Sequence, residues 1–135
     1  MSWRDSLIRI SRYEVETLQK RLGEIVERRM DAEVRLAMLE AHVEAERVHA
    51  AAQAETSWQL AGFLSGANVR RATMMAEIGE RSAEEAGARD ALSQAFETLK
   101  KFEQVAETAR IENAKETARR ENAEMDEMGL RARRR

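Results

Sequence analysis

Apolar side chains recur with period seven in two separate runs. The first run sets Ile8, Val15, Leu22, Leu36, Val43 and Ala50 in one series, with Arg29 among them, and Leu18, Ile25, Ala32 and Leu39 in the other, with Ser11 and Glu46. The second run passes through Met74, Ile78, Ala88, Leu92, Ala95, Leu99, Phe102, Ala106 and Ala109, with Arg81 and Glu85 at two of its places. A period of seven predicts long α-helices that each bury one narrow stripe against a partner helix. Between the runs lies Leu60-Ala61-Gly62-Phe63-Leu64-Ser65-Gly66-Ala67-Asn68. Glycine suits the residue just past a helix end, and Ser and Asn are helix-capping types, so this stretch predicts the turn. The expected fold is all-α, a long antiparallel two-helix coiled-coil hairpin with its turn near Gly62 to Asn68. A single domain spans 1–135, with helix one over about 2–60, the turn over 61–67, helix two over about 68–131 and a basic tail over 131–135. Arms of about 55 to 65 residues would be about 80 to 100 Å long at 1.5 Å per residue.

Local signals refine this outline. Ser2 and Asp5 form an acidic variant of the capping box at the start of helix one. Gly79 and Gly87, with Ser82 and Glu85 at capping-box spacing between them, mark a soft spot in helix two. Pairs such as Glu85 with Arg89 and Glu127 with Arg131 stand in the favourable acid-first order four residues apart. A register that sets large side chains against small ones pairs Leu22 with Ala109, Ile25 with Ala106, Ala32 with Leu99, Leu36 with Ala95, Leu39 with Leu92 and Val43 with Ala88. Its turn centre falls between Ser65 and Gly66. The tip residues Trp58, Leu60, Phe63 and Leu64 are then expected to fold back over the end of the seam.

Composition narrows the functional classes. Proline and cysteine are absent, aromatic residues make up 4% of the chain and charged residues 36%, as in long solvated helices and unlike a multilayer globular core. A net charge of -2 with both signs intermixed argues against nucleic acid as the main ligand. No apolar run approaches the roughly 20 residues of a membrane span, and the N-terminus lacks the apolar segment of a signal peptide. His42, Glu46 and His49 share one helix face, with Glu46 and His49 at the spacing of di-iron bundles, but a second such motif would need histidines that the chain does not have. No phosphate-cradling glycine loop and no nucleophile with a base are present. Neither catalysis, nor a cofactor, nor a metal, nor a small-molecule substrate is expected.

The end opposite the turn carries an additional feature. Ile111, Ala114, Ala118, Met125 and Met128 keep heptad spacing on a face away from the seam, while Trp3, Leu7 and Ile10 make a stripe beside Ile8. With the termini expected to meet, these stripes either bind another protein or bend into a local core. Arg4, Arg9, Arg12, Arg131, Arg133, Arg134 and Arg135 gather at the same end. The candidate partner-binding residues are therefore Trp3, Leu7, Ile10, Ile111, Met125, Met128, Arg133, Arg134 and Arg135, with Trp58, Phe63 and Leu64 at the tip.

Three stretches resemble a known family: Ser6-Leu7-Ile8-Arg9-Ile10-Ser11-Arg12-Tyr13-Glu14-Val15, Ala95-Phe96-Glu97-Thr98-Leu99-Lys100-Lys101-Phe102-Glu103, and Arg119-Arg120-Glu121-Asn122-Ala123-Glu124-Met125-Asp126-Glu127. Together they are similar to the FliJ family of flagellar type III export proteins, over nearly the whole length. Where that family often has a lysine-glutamate-glutamine run before the last acidic doublet, this chain has Glu121-Asn122-Ala123-Glu124, which keeps the stalk proteins of virulence secretion systems as competitors. The resemblance implies a monomeric, non-catalytic stalk in the cytoplasm, peripheral to the inner-membrane export apparatus and similar to the hairpin of the rotary-ATPase gamma subunit. Its implied partners are the export ATPase hexamer, a membrane export-gate protein and substrate chaperones. From the heptads alone, a generic coiled-coil adaptor or dimerisation protein stands as the alternative.

Overall fold

Helix α1 runs over Trp3–Ala52 and helix α2 over Trp58–Arg134 in the computed structural model, which describes residues 2–53, 55 and 58–134. Two long helices packed side by side make the all-α coiled-coil hairpin that the heptads imply. The start of α1 is capped as expected: the Ser2 amide donates to Asp5 Oδ2 at 3.2 Å and the Asp5 amide donates to Ser2 Oγ at 3.3 Å. The reciprocal pair satisfies two amides that the first turn of a helix leaves without intrahelical acceptors.

The turn is not where the glycines suggested. Gly62 and Gly66 lie inside α2, which also continues unbroken through Gly79 and Gly87, and no described glycine has a positive φ. The chain instead reverses after α1 ends at Ala52 and before α2 begins at Trp58. The physical reason lies in the seam of α2. Leu60, Leu64, Ala67 and Arg71 continue the heptad backwards from Met74, so helix through the glycines keeps apolar side chains on the seam, and Ala67 is buried. An internal glycine costs about 1 kcal/mol relative to alanine, which packing of that kind offsets. On α1 the heptad ends at the buried Ala50. The basic run over 131–134 is likewise helical, in the last turn of α2.

The chain forms two packed units, Glu16–Ser93 and Met1–Val15 with Gln94–Arg135. In the first, Ile25, Ala32, Leu39, Ala50 and Ala67 form the core, with Ala32 fully buried. In the second, Ser11, Val15 and Ala95 are buried. All are seam positions of the heptads, so the faces read from the sequence are the faces that pack.

The register, however, differs from the one expected. Arg29 Nε donates to Glu85 Oε2 at 2.7 Å, Arg35 Nη2 to Glu77 Oε1 at 2.9 Å, and Arg71 lies 3.3 Å from Glu40. In the second unit Arg12 reaches Glu103 at 3.4 Å. The register that pairs Ile25 with Ala106 and Ala32 with Leu99 would place Arg29 opposite Phe102; it meets Glu85 instead. The two charged interruptions of the seams thus face each other, which removes the cost of setting either one against an apolar neighbour. Arg29 also bonds Glu33 at 2.9 Å, and Glu85 accepts from Arg89 at 2.9 Å, so four charges form one row across the seam.

Two expectations follow. Gly62→Ala and Gly66→Ala should each stabilise the protein by about 1 kcal/mol in thermal or urea unfolding, because both are helical and an added Cβ meets nothing within 4 Å. Were either glycine in a left-handed turn, the same change would destabilise. The second expectation concerns acid. Hydrogen bonds from Arg89 to Glu85, Arg35 to Glu77 and Arg110 to Glu107 hold these three carboxyls below their ordinary value of 4.5. A lowered folded-state value contributes stability that is fully present above 4.5 and is lost as pH falls through the lowered values. Melting temperature should therefore hold level down to about pH 4.5 and fall below it, and Glu85→Gln should shrink that acid-dependent drop.

Candidate partner-binding surface

In the unit formed by Met1–Val15 and Gln94–Arg135, the first turns of α1 lie against α2 around Lys101 to Glu112. Trp3 is 64% exposed and Ile10 is also exposed, whereas Leu7 is half-buried, so only part of the proposed N-terminal stripe faces outward. Arg4 stacks over the Trp3 ring, 4.9 Å from its centroid. Beyond that contact α2 continues alone: every described residue over 111–134 is exposed. The expectation that the termini meet therefore fails. At 1.5 Å per residue, Met125 stands roughly 20 Å along the helix from Glu112, where α1 begins. The earlier turn shortens α1, and what α1 does not reach is left as a single helix.

On that single helix Ile111, Met125 (69% exposed) and Met128 (67% exposed) are all open to solvent, so of the two outcomes open to the stripe it does not bend into a local core. The helix is supported by its own ion pairs, Arg120 and Arg119 with Glu116, and Arg131 with Glu127 at 3.1 Å. Arg133 and Arg134 make no ion pair among the described residues; Arg135 lies outside them. Leu130, missed by the heptad count because it is off the stripe, lines a surface groove with Met125, Asp126, Gly129 and Arg133.

At the other unit's turn, Leu60, Phe63 and Leu64 are half-buried, and Phe63 stacks on His42 with ring centroids 5.1 Å apart. Trp58 does not fold back with them and is 75% exposed at the first position of α2. His42 Nε2 lies 3.6 Å from Glu46, and among the described residues no group of three or more His, Cys, Asp or Glu is placed to hold a metal ion. No described helix is long and apolar enough to cross a membrane.

Over 129 residues, the chain is 54% identical to the flagellar FliJ protein of Caulobacter vibrioides strain NA1000 / CB15N, an overlap covering 96% of this chain and 93% of that protein. The same identity and coverage hold for the flagellar FliJ protein of strain ATCC 19089 / CIP 103742 / CB 15. The chain belongs to the FliJ family. No family model matches the sequence, and no solved structure matches it.

For this FliJ-family chain the exposed end of α2 is separable from what holds the fold. Replacing both Met125 and Met128 with serine should change stability by less than about 0.5 kcal/mol, as surface substitutions do. Leu39→Ala, at a buried seam position, should cost about 2 to 4 kcal/mol. Thermal melts of the two variants beside the parent check the contrast.

Proposed function

We propose that this protein is a non-catalytic component of the flagellar type III export apparatus, a stalk-like coiled coil that binds the ring of the export ATPase. On this reading it couples the ring to the membrane export gate and to substrate chaperones, and it is peripheral to the inner membrane through those partners. One observation carries the assignment of the binding end: residues 111–134 form a fully exposed helix with heptad-spaced Ile111, Met125 and Met128 and an arginine-rich last turn. A single amphipathic helix without an intramolecular partner is suited to enter a groove or a ring lumen, where its apolar anchors supply affinity and its charged rim supplies encounter rate. Trp3 and Ile10 add exposed apolar surface at the base of that helix. Arg133 and Arg134, free of internal ion pairs among the described residues, together with Arg135, steer the approach to an acidic mouth.

The test is binding of the purified chain to the cognate ATPase hexamer, read together with ATP hydrolysis. Met125→Ser with Met128→Ser should weaken ring binding by about tenfold or more, mainly through faster dissociation, and reduce any stimulation of hydrolysis. Arg133→Ala with Arg134→Ala should instead slow association and flatten its salt dependence. Variants that bind and stimulate like the parent would place the contact elsewhere.

A further inference from the structure

Near the end of α2 a surface groove is lined by Met125, Asp126, Gly129, Leu130 and Arg133, which their spacing sets on one side of the helix. Nothing in the hairpin covers it, since every described residue over 111–134 is exposed, Leu130 at 57%. The groove carries one acid and one base, Asp126 and Arg133, and neither makes an ion pair among the described residues. The neighbouring Glu127 is taken by Arg131 at 3.1 Å. Asp126 and Arg133 are seven residues apart along the helix, or about 10 Å at 1.5 Å per residue, and do not satisfy each other. Between them Gly129 leaves a gap, where a Cβ would meet nothing within 4 Å.

An acid, a glycine, a leucine and a base in that order complement their own reversal. Turned end for end about an axis between Gly129 and Leu130, a second copy brings its Arg133 to Asp126 and its Asp126 to Arg133, so both free charges are matched in both chains. Leu130 then meets Leu130 across the axis, and the gaps at the two Gly129 positions let the backbones approach closely. A parallel pairing would instead set acid on acid and base on base, and would align the two helix dipoles. We propose that this groove is a self-association site at which the last turns of α2 from two copies of this chain pair antiparallel. A helix without a partner is marginal in water, and the pairing supplies the cover that α1 does not. The contact spans about 12 Å of each helix and buries far less than the roughly 1,200 Å² of a stable interface, so it is weak and reversible. It does not depend on the ring-binding reading, although a paired chain would expose Met125 to the ring only after dissociating.

Sedimentation equilibrium on the full chain tests this. At low salt the parent should pass from monomer to dimer below about 1 mM, and about 0.5 M salt should weaken the dimer severalfold. Asp126→Arg alone, or Arg133→Asp alone, sets like charges together and should weaken dimerisation about tenfold or more. An equimolar mixture of these two variants matches every charge again and should restore association, which two misfolded chains could not do. Gly129→Leu favours the helix yet fills the gap, so it should weaken dimerisation while raising helix content by circular dichroism. A parent that stays monomeric over the same range, reversed variants that associate like the parent, or a mixture that does not recover would each overturn the proposal. A monomeric parent whose binding to the ATPase hexamer falls with Asp126→Arg and with Arg133→Asp would give the groove to the ATPase and overturn it as well.

Discussion

The fold depends on one polar contact in a seam that is otherwise apolar, the bond from Arg29 to Glu85. A heptad seam of Leu, Ile and Ala is nearly degenerate, because sliding one helix by seven residues returns similar side chains to similar places. A charged side chain on each helix lifts that degeneracy. In every register but one, the guanidinium of Arg29 would lie against an apolar residue or a like charge, at the cost of desolvation without compensation. Here it donates to Glu33 and to Glu85 at once, and these bonds hold its proton more firmly than an ordinary arginine does. The pair resembles the polar core residues of coiled coils that set alignment more than they add stability.

Register and turn are two statements of one fact in a hairpin. Moving the turn by one residue shifts each facing position on the partner helix by two. Reading the turn at Gly62 to Asn68 therefore carried every cross-helix pair with it, and set Arg29 against Phe102. Volume matching then agreed with the wrong turn because alanine is so frequent in both stripes that large-against-small pairs arise at several offsets. Charge matching was available from the same sequence: Arg29 is the only cation in the first heptad run, and Glu85 the only carboxylate in the second. What was legible is what depends on local periodicity. The seam faces, the helical class and the Ser2 and Asp5 cap required only spacings within one helix. The turn was legible in principle as well, since Leu60, Leu64 and Ala67 already sit on the heptad of α2, but glycine as a helix stop is a preference of about 1 kcal/mol and a continued seam outweighs it.

The displaced turn also changes what the candidate site is. With the turn near residue 65, α1 would have run alongside nearly all of α2, and Met125 and Met128 would have been half of a two-helix end. With the reversal between Ala52 and Trp58, α1 is 50 residues and α2 is 77, so the last turns of α2 have no α1 beside them. Met125 and Met128 are exposed on the stripe that their spacing defines, but they stand on a single helix and not at a two-helix end. Leu7 drops out of the exposed set because its position at the edge of the seam turns it toward α2, whereas Trp3 and Ile10 look outward. Arg4 was legible only as part of a basic end, because nothing in the spacing along either helix brings it to Val105; that juxtaposition exists only once the register is fixed.

A helix that stands alone in water must hold itself, and this constrains how it can bind. Isolated helices are marginal unless side-chain pairs support them, and each pair contributes only about 0.2 to 0.5 kcal/mol. The exposed part of α2 accordingly devotes Glu116, Arg119, Arg120, Glu127 and Arg131 to internal pairs, which leaves few positions for apolar anchors. Such a helix meets a partner with modest apolar area and a dense charged rim. Its affinity then comes from a few side chains, Met125 and Met128 foremost, while its rate of encounter depends on the arginines that have no acid of their own. The residues free to act on another molecule are those that the ion-pair pattern of the exposed helix does not consume.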